Sequence, residues 1–122
     1  MADFRRPAIM SAFWATLAFS YAAAILPAPQ APDLGAGDKI NHIAAFLVLT
    51  WLGRAAYRRR RPAWRLAVGL SLFGILIELT QAIPALHRDA SAWDWIADTA
   101  AILAASAIGF LVERYGAWRR AA

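Results

Sequence analysis

Apolar residues gather into four long blocks in this chain, separated by short stretches where arginine, proline or carboxylates collect. Each block is about 18 to 20 residues long, the length of α-helix that crosses roughly 30 Å of hydrocarbon at about 1.5 Å per residue. The pattern predicts helices over residues 8–26, 40–57, 66–84 and 95–112. Arg5 and Arg6 precede the first, and a Pro-rich linker from Pro27 to Gly37 follows it. Arg54 lies in the last turn of the second and is expected to snorkel to the membrane surface. The run Arg58, Arg59, Arg60, Arg61 and Pro62 then separates two helices, because proline disrupts a helix interior. The first block also has features of a secretory leader, with small residues at Ala22 to Ala24. Its apolar run exceeds the about 7 to 15 residues of a signal core, so it is read as a retained span.

Small and polar positions recur at helical spacing inside these blocks. Ala97, Ala101, Ala105 and Gly109 repeat every four residues and give the fourth helix a smooth face on which a neighbour can pack closely. In the third, Ala67, Ser71, Gly74, Glu78 and Gln81 form one stripe, small at one end and polar at the other. The expected fold is an all-α integral membrane protein, a single four-transmembrane-helix bundle over residues 1–122.

Composition supports that reading. A chain of 122 residues that is 61% hydrophobic and 17% charged is too apolar for a small soluble domain, so its surface must face a lipid bilayer. Arg5, Arg6, Arg54, Arg58 to Arg61, Arg65, Arg114, Arg119 and Arg120 fall on one side of the spans, against Lys39 and Arg88 on the other. That asymmetry predicts both termini in the cytoplasm, N-in/C-in, in a multi-pass membrane protein. Trp64, Trp93, Trp95 and Trp118 are expected at the interfaces. The net charge of +5 does not point to nucleic acid, since the arginines sit in short loops beside apolar spans rather than on a soluble basic face. With no cysteine there is no disulfide framework, thiolate metal site or thiol nucleophile.

Three pieces of sequence put polar groups where lipid makes them costly. Asp38 and His42 share a helix face, His42 being roughly 6 Å deeper. Glu78 and Gln81 share another, with Glu78 about 9 Å inside Pro84. After Arg88 and Ser91, Asp94 and Asp98 are four apart, Asp98 roughly 6 Å deeper. A carboxylate in a span costs about 2.5 to 3.5 kcal/mol on insertion scales, so such groups face a partner or a wet cavity. Folding the spans together is expected to place Asp38, His42, Glu78, Gln81, Arg88, Asp94 and Asp98 around one outward pocket, with Arg88 as counter-ion. Simpler roles stand beside this one. Asp38 or Asp94 can cap a helix, Ser91 can begin a turn, His42 can be a packing residue, and Gln81 can hydrogen-bond between helices. Glu78 and Asp98 are hardest to explain that way, because their depth leaves few structural uses.

His42, Glu78 and Asp98 are the candidate catalytic groups, a general acid and base beside a cation that could anchor a headgroup phosphate or amide. No motif supplies a nucleophile, and no cofactor is called for. The carboxylates with His42 are donors suited to a hard divalent ion, but their spacing matches no metal motif, and no metal is assigned. Binding an amphiphile without turnover is the other reading. Ion passage is disfavoured, since the polar residues stop short of the cytoplasmic half.

At these residues the chain resembles the VanZ-like family of bacterial membrane proteins, named for a protein associated with teicoplanin resistance. The likeness spans roughly Asp38 to Gly109: Asp38, Lys39 and His42 match D-K-x-x-H, Glu78 and Gln81 match E-x-x-Q, and Arg88, Ser91 and Asp94 match a loop arginine, a serine and the start of D-x-x-x-N. Asp98 stands where the family pattern usually has asparagine, and the loop between Pro84 and Arg88 is longer than the usual form. The resemblance implies a cell-envelope protein of the bacterial cytoplasmic membrane, linked to glycopeptide tolerance. With the shared depth of the polar pieces, the expected function is to bind, and in an enzymatic form to modify, a lipid-linked or cell-wall-related molecule through Asp38, Lys39, His42, Glu78, Gln81, Arg88, Ser91, Asp94 and Asp98. The alternative is a non-enzymatic membrane module in which the polar residues clamp helices together and small-residue faces dock a partner.

Overall fold

The computed structural model describes residues 5–26, 38–57, 62–86 and 90–121, with the backbone alone at Asp38, Lys39 and Arg120. The described residues form four α-helices: α1 (Arg5–Ile25), α2 (Asp38–Tyr57), α3 (Ala63–Gln81) and α4 (Ala92–Ala121). A short 3₁₀ turn, Pro84–Leu86, follows α3.

α1, α3 and α4 are each long and apolar enough to cross a membrane, and little of their surface is buried within the protein. Leu72, Leu79, Leu103 and Leu111 are each about 60% exposed or more. A soluble protein would not leave such rows of leucine in water, whereas lipid solvates them at no cost. The chain is therefore a membrane protein by the length and apolarity of these helices. α2 is 20 residues long but less apolar, because Asp38, Lys39, Asn41, His42 and Arg54 lie near its ends. It packs on all three others, most extensively on α4 and α1. Phe46, Leu49 and Thr50 of α2 are fully enclosed, packed with Phe13 of α1, Leu70 and Ile77 of α3, and Ala101 and Ile102 of α4. The buried Thr50 hydroxyl donates to the Phe46 carbonyl within its own helix, which satisfies it without a partner helix.

The small-residue stripes face inward. Ala101 and Ala105 of α4 are buried, and the Trp51 indole of α2 donates to the Ala105 carbonyl at 3.2 Å. On α3 the Ser71 hydroxyl lies 3.0 Å from the Thr99 hydroxyl of α4, and the Trp95 indole donates to both the carbonyl and the hydroxyl oxygen of Ser71. Trp95, expected at the interface, thus sits in the α3–α4 seam, while Trp64, Trp93 and Trp118 are exposed.

All four helices start two or three residues earlier than predicted, and the ends of α3 and α4 differ most. α3 ends at Gln81 rather than at residue 84, because a proline disfavours helical backbone at the residue before it. The chain closes instead through the Ala82 amide on the Glu78 carbonyl and the Ile83 amide on the Thr80 carbonyl. α3 also starts earlier, at Ala63, directly after the extended Pro62. α4 continues to Ala121 instead of stopping at residue 112. Arginine ends an apolar span but is a good helix former, so Arg114 and Arg119 extend the helix beyond its lipid-like part.

Candidate functional site

α2 and α4 begin at the end of the bundle where α3 finishes, so residues early in the first two meet residues late in the third. His42 lies in the second turn of α2, Asp98 in the second turn of α4, and Glu78 in the last turn of α3. The structure brings these three together: one nitrogen or oxygen from each lies within 4.8 Å of the others. His42 Nδ1 is 3.4 Å from Asp98 Oδ1. Asp98 is fully buried and His42 is 7% exposed, while Glu78 is only partly buried and forms the open side of the group. Gly74, one turn before Glu78, makes room for the aspartate. A Cβ there would stand 3.3 Å from Asp98 Oδ2 and 3.4 Å from Trp95.

Ser91 joins the group through its backbone. Its amide donates to Glu78 Oε2 at 2.9 Å, while its hydroxyl accepts the Trp93 amide and its carbonyl accepts the Asp94 amide. Ser91 is thus the N-cap of α4, the role the sequence had left open to Asp94. Asp94 lies in the first turn of α4, where the helix dipole favours negative charge.

Gln81 does not join. Its side-chain amide donates to the Ala24 carbonyl near the end of α1 at 3.1 Å, and beside it the Tyr21 and Thr80 hydroxyls are 2.9 Å apart. Glu78 and Gln81 share a stripe but serve different neighbours: Gln81 clamps α1 to α3, and Glu78 faces α2 and α4. Asp38 and Lys39 open α2 one turn before His42, but their side chains lie outside the described residues, as do Arg88, His87, Asp89 and Arg58 to Arg61. The expected counter-ion role of Arg88 lies outside the described residues with them.

The opposite end of the bundle holds an ion pair with one buried member. Arg54 was expected to snorkel outward, yet it is only 9% exposed and donates to Glu113 of α4 at 3.0 Å. It turns inward because Gly109 leaves a gap: a Cβ there would lie 2.7 Å from Arg54 Nε. Glu113 was missed because the fourth helix was ended too soon. The four-residue repeat through Ala105 and Gly109, carried one step further, lands on it. Beside this pair, a cavity of about 450 Å³ opens among α2, α3 and α4, lined by Arg54, Tyr57, Leu66, Phe110 and Glu113 among others. It lies at the far end from His42, Glu78 and Asp98.

The group of three combines an imidazole, which can give or take a proton, with two carboxylates that can accept one or hold a cation. Comparison with protein-family models, with curated proteins and with solved structures returned no match to this chain.

Proposed function

We propose that this chain is a VanZ-like protein of the bacterial cytoplasmic membrane, with four spans and both termini inside, whose polar centre binds the headgroup of a lipid-linked or cell-wall-related molecule from the outer leaflet. The observation that carries this reading is the meeting of His42, Glu78 and Asp98 from three helices. A polar residue within lipid is costly, and three of them drawn to one place argue for a common use. The orientation rests on the concentration of arginine at the Arg54 end, and the family reading on the order and spacing of the matching residues. Glycopeptide tolerance, teicoplanin included, is the phenotype this reading predicts. If the bound molecule is also modified, His42, Glu78 and Asp98 are the groups that would move protons.

Mass spectrometry of amphiphiles that copurify with the protein tests the reading. The wild type should retain a species that Glu78→Gln loses at least about tenfold. An identical complement in both proteins, at equal folded yield, would refute it.

A second reading, that the polar residues only clamp helices, is favoured by Gln81 on Ala24 and by Ser71 on Thr99 and Trp95. It predicts that separate substitutions of His42, Glu78 and Asp98 lower membrane levels in step with any cellular phenotype. The binding reading predicts loss of phenotype at normal levels. Docking through the α4 small-residue stripe is disfavoured, because α2 already covers Ala101 and Ala105.

A further inference from the structure

We propose that His42, Glu78 and Asp98 form a binding site for one divalent transition-metal cation, with zinc the best match. Sequence spacing could not reveal such a site, because its three donors come one each from α2, α3 and α4.

The geometry fits. Two ligands about 2.1 Å from a tetrahedral ion stand about 3.4 Å apart, and His42 Nδ1 and Asp98 Oδ1 are 3.4 Å apart. The Glu78 ligand atom lies within 4.8 Å of both, and rotation of its side chain closes the remainder. Glu78 is also divided between two tasks. Oε2 accepts the Ser91 amide, while Oε1 is buried with no hydrogen-bond partner among the described residues. Backbone amides on the far oxygen of a carboxylate are the kind of support that orients a metal ligand.

The donor chemistry selects the ion. One imidazole with two carboxylates suits zinc or manganese better than magnesium, which prefers oxygen and keeps its water. A divalent ion held by one imidazole and two carboxylates is balanced in charge by its ligands and keeps a coordination position open for water or a headgroup oxyanion. The inference deepens the binding reading above and rests on it only in assuming that the three side chains serve a ligand.

The test uses the full chain in detergent, with its affinity tag removed, stripped by chelator and titrated with Zn²⁺, Mn²⁺ or Mg²⁺ alone. Bound metal is counted by elemental mass spectrometry after gel filtration. The wild type should hold one zinc per chain, tighter than manganese and far tighter than magnesium. His42→Gln, Glu78→Gln and Asp98→Asn should each weaken zinc at least about tenfold, and Glu113→Gln at the opposite end should leave it unchanged. X-ray absorption on the zinc-loaded wild type should show one imidazole nitrogen and carboxylate oxygens, which keeps the test decisive where a variant fails to fold. Substoichiometric zinc on the wild type, a shell lacking imidazole, or zinc gained only in Arg88→Gln would each overturn the proposal. Copurifying amphiphiles are measured on the same samples. A Glu78-dependent amphiphile without zinc leaves the headgroup reading standing and removes the metal; zinc without such an amphiphile does the reverse.

Discussion

At one end of the bundle Arg54 is answered by Glu113 at 3.0 Å; at the other, Glu78 and Asp98 meet a single imidazole, His42. Each group sets buried members against one partly exposed acid, Glu113 or Glu78, and both join α2 to α4. They differ in balance. The first is a one-to-one pair of opposite charge joined by one hydrogen bond, so holding helices together accounts for it. The second sets two carboxylates beside one imidazole, a donor set that suits a bound cation. Burial therefore does not separate the two groups; the kinds of side chain they gather do.

If that contrast is right, the basic end should respond to substitution through stability and the acidic end through binding. Glu113→Ala should have the largest effect. It leaves the Arg54 guanidinium buried without its carboxylate, at a cost of about 3 kcal/mol in detergent unfolding. Replacing both residues with leucine should recover most of that loss, and failure to recover would remove the pair from its structural role. Gly109→Ala comes next, at about 2 kcal/mol, because its Cβ would sit 2.7 Å from Arg54 Nε. Gly74→Ala should cost less, about 1 kcal/mol, since its nearest contact is 3.3 Å. That methyl presses on the Asp98 carboxylate, so its main effect should appear as weaker zinc or amphiphile retention, measured beside unfolding. Asp98→Asn should move stability least, within about 1 kcal/mol, while abolishing ligand retention. Should Asp98→Asn instead destabilise the protein as much as Glu113→Ala, the two ends are alike and the contrast fails.

Much of this arrangement was legible in the residues. The helices follow from apolar length, and the two stripes of small residues indicate which faces pack. The meeting of His42, Glu78 and Asp98 could be anticipated from their depths, because antiparallel helices of similar length bring equal depths together. Other features were hidden for physical reasons. Gln81 lies only a turn from Glu78, but a three-residue step rotates a side chain about the helix enough to reach α1 instead of α4. Arg54 read as a snorkelling residue because its partner lay beyond the predicted end of α4. Hydropathy marks where lipid-like surface stops, not where backbone hydrogen bonding stops. Ser91 was hardest to foresee, because its contact with Glu78 runs through a backbone amide that every residue except proline carries.

Because α2 carries His42 and Arg54 near its two ends, it partitions poorly into lipid by itself, and its neighbours supply the cover that makes burial tolerable. During synthesis α1 emerges ahead of it, but Glu78, Asp98 and Glu113 arrive only with α3 and α4. The middle helix must wait, half accommodated, until the last third of the chain is made. Truncation or stalling after residue 57 would therefore strand a segment that the bilayer rejects, an obvious mark for quality-control proteases.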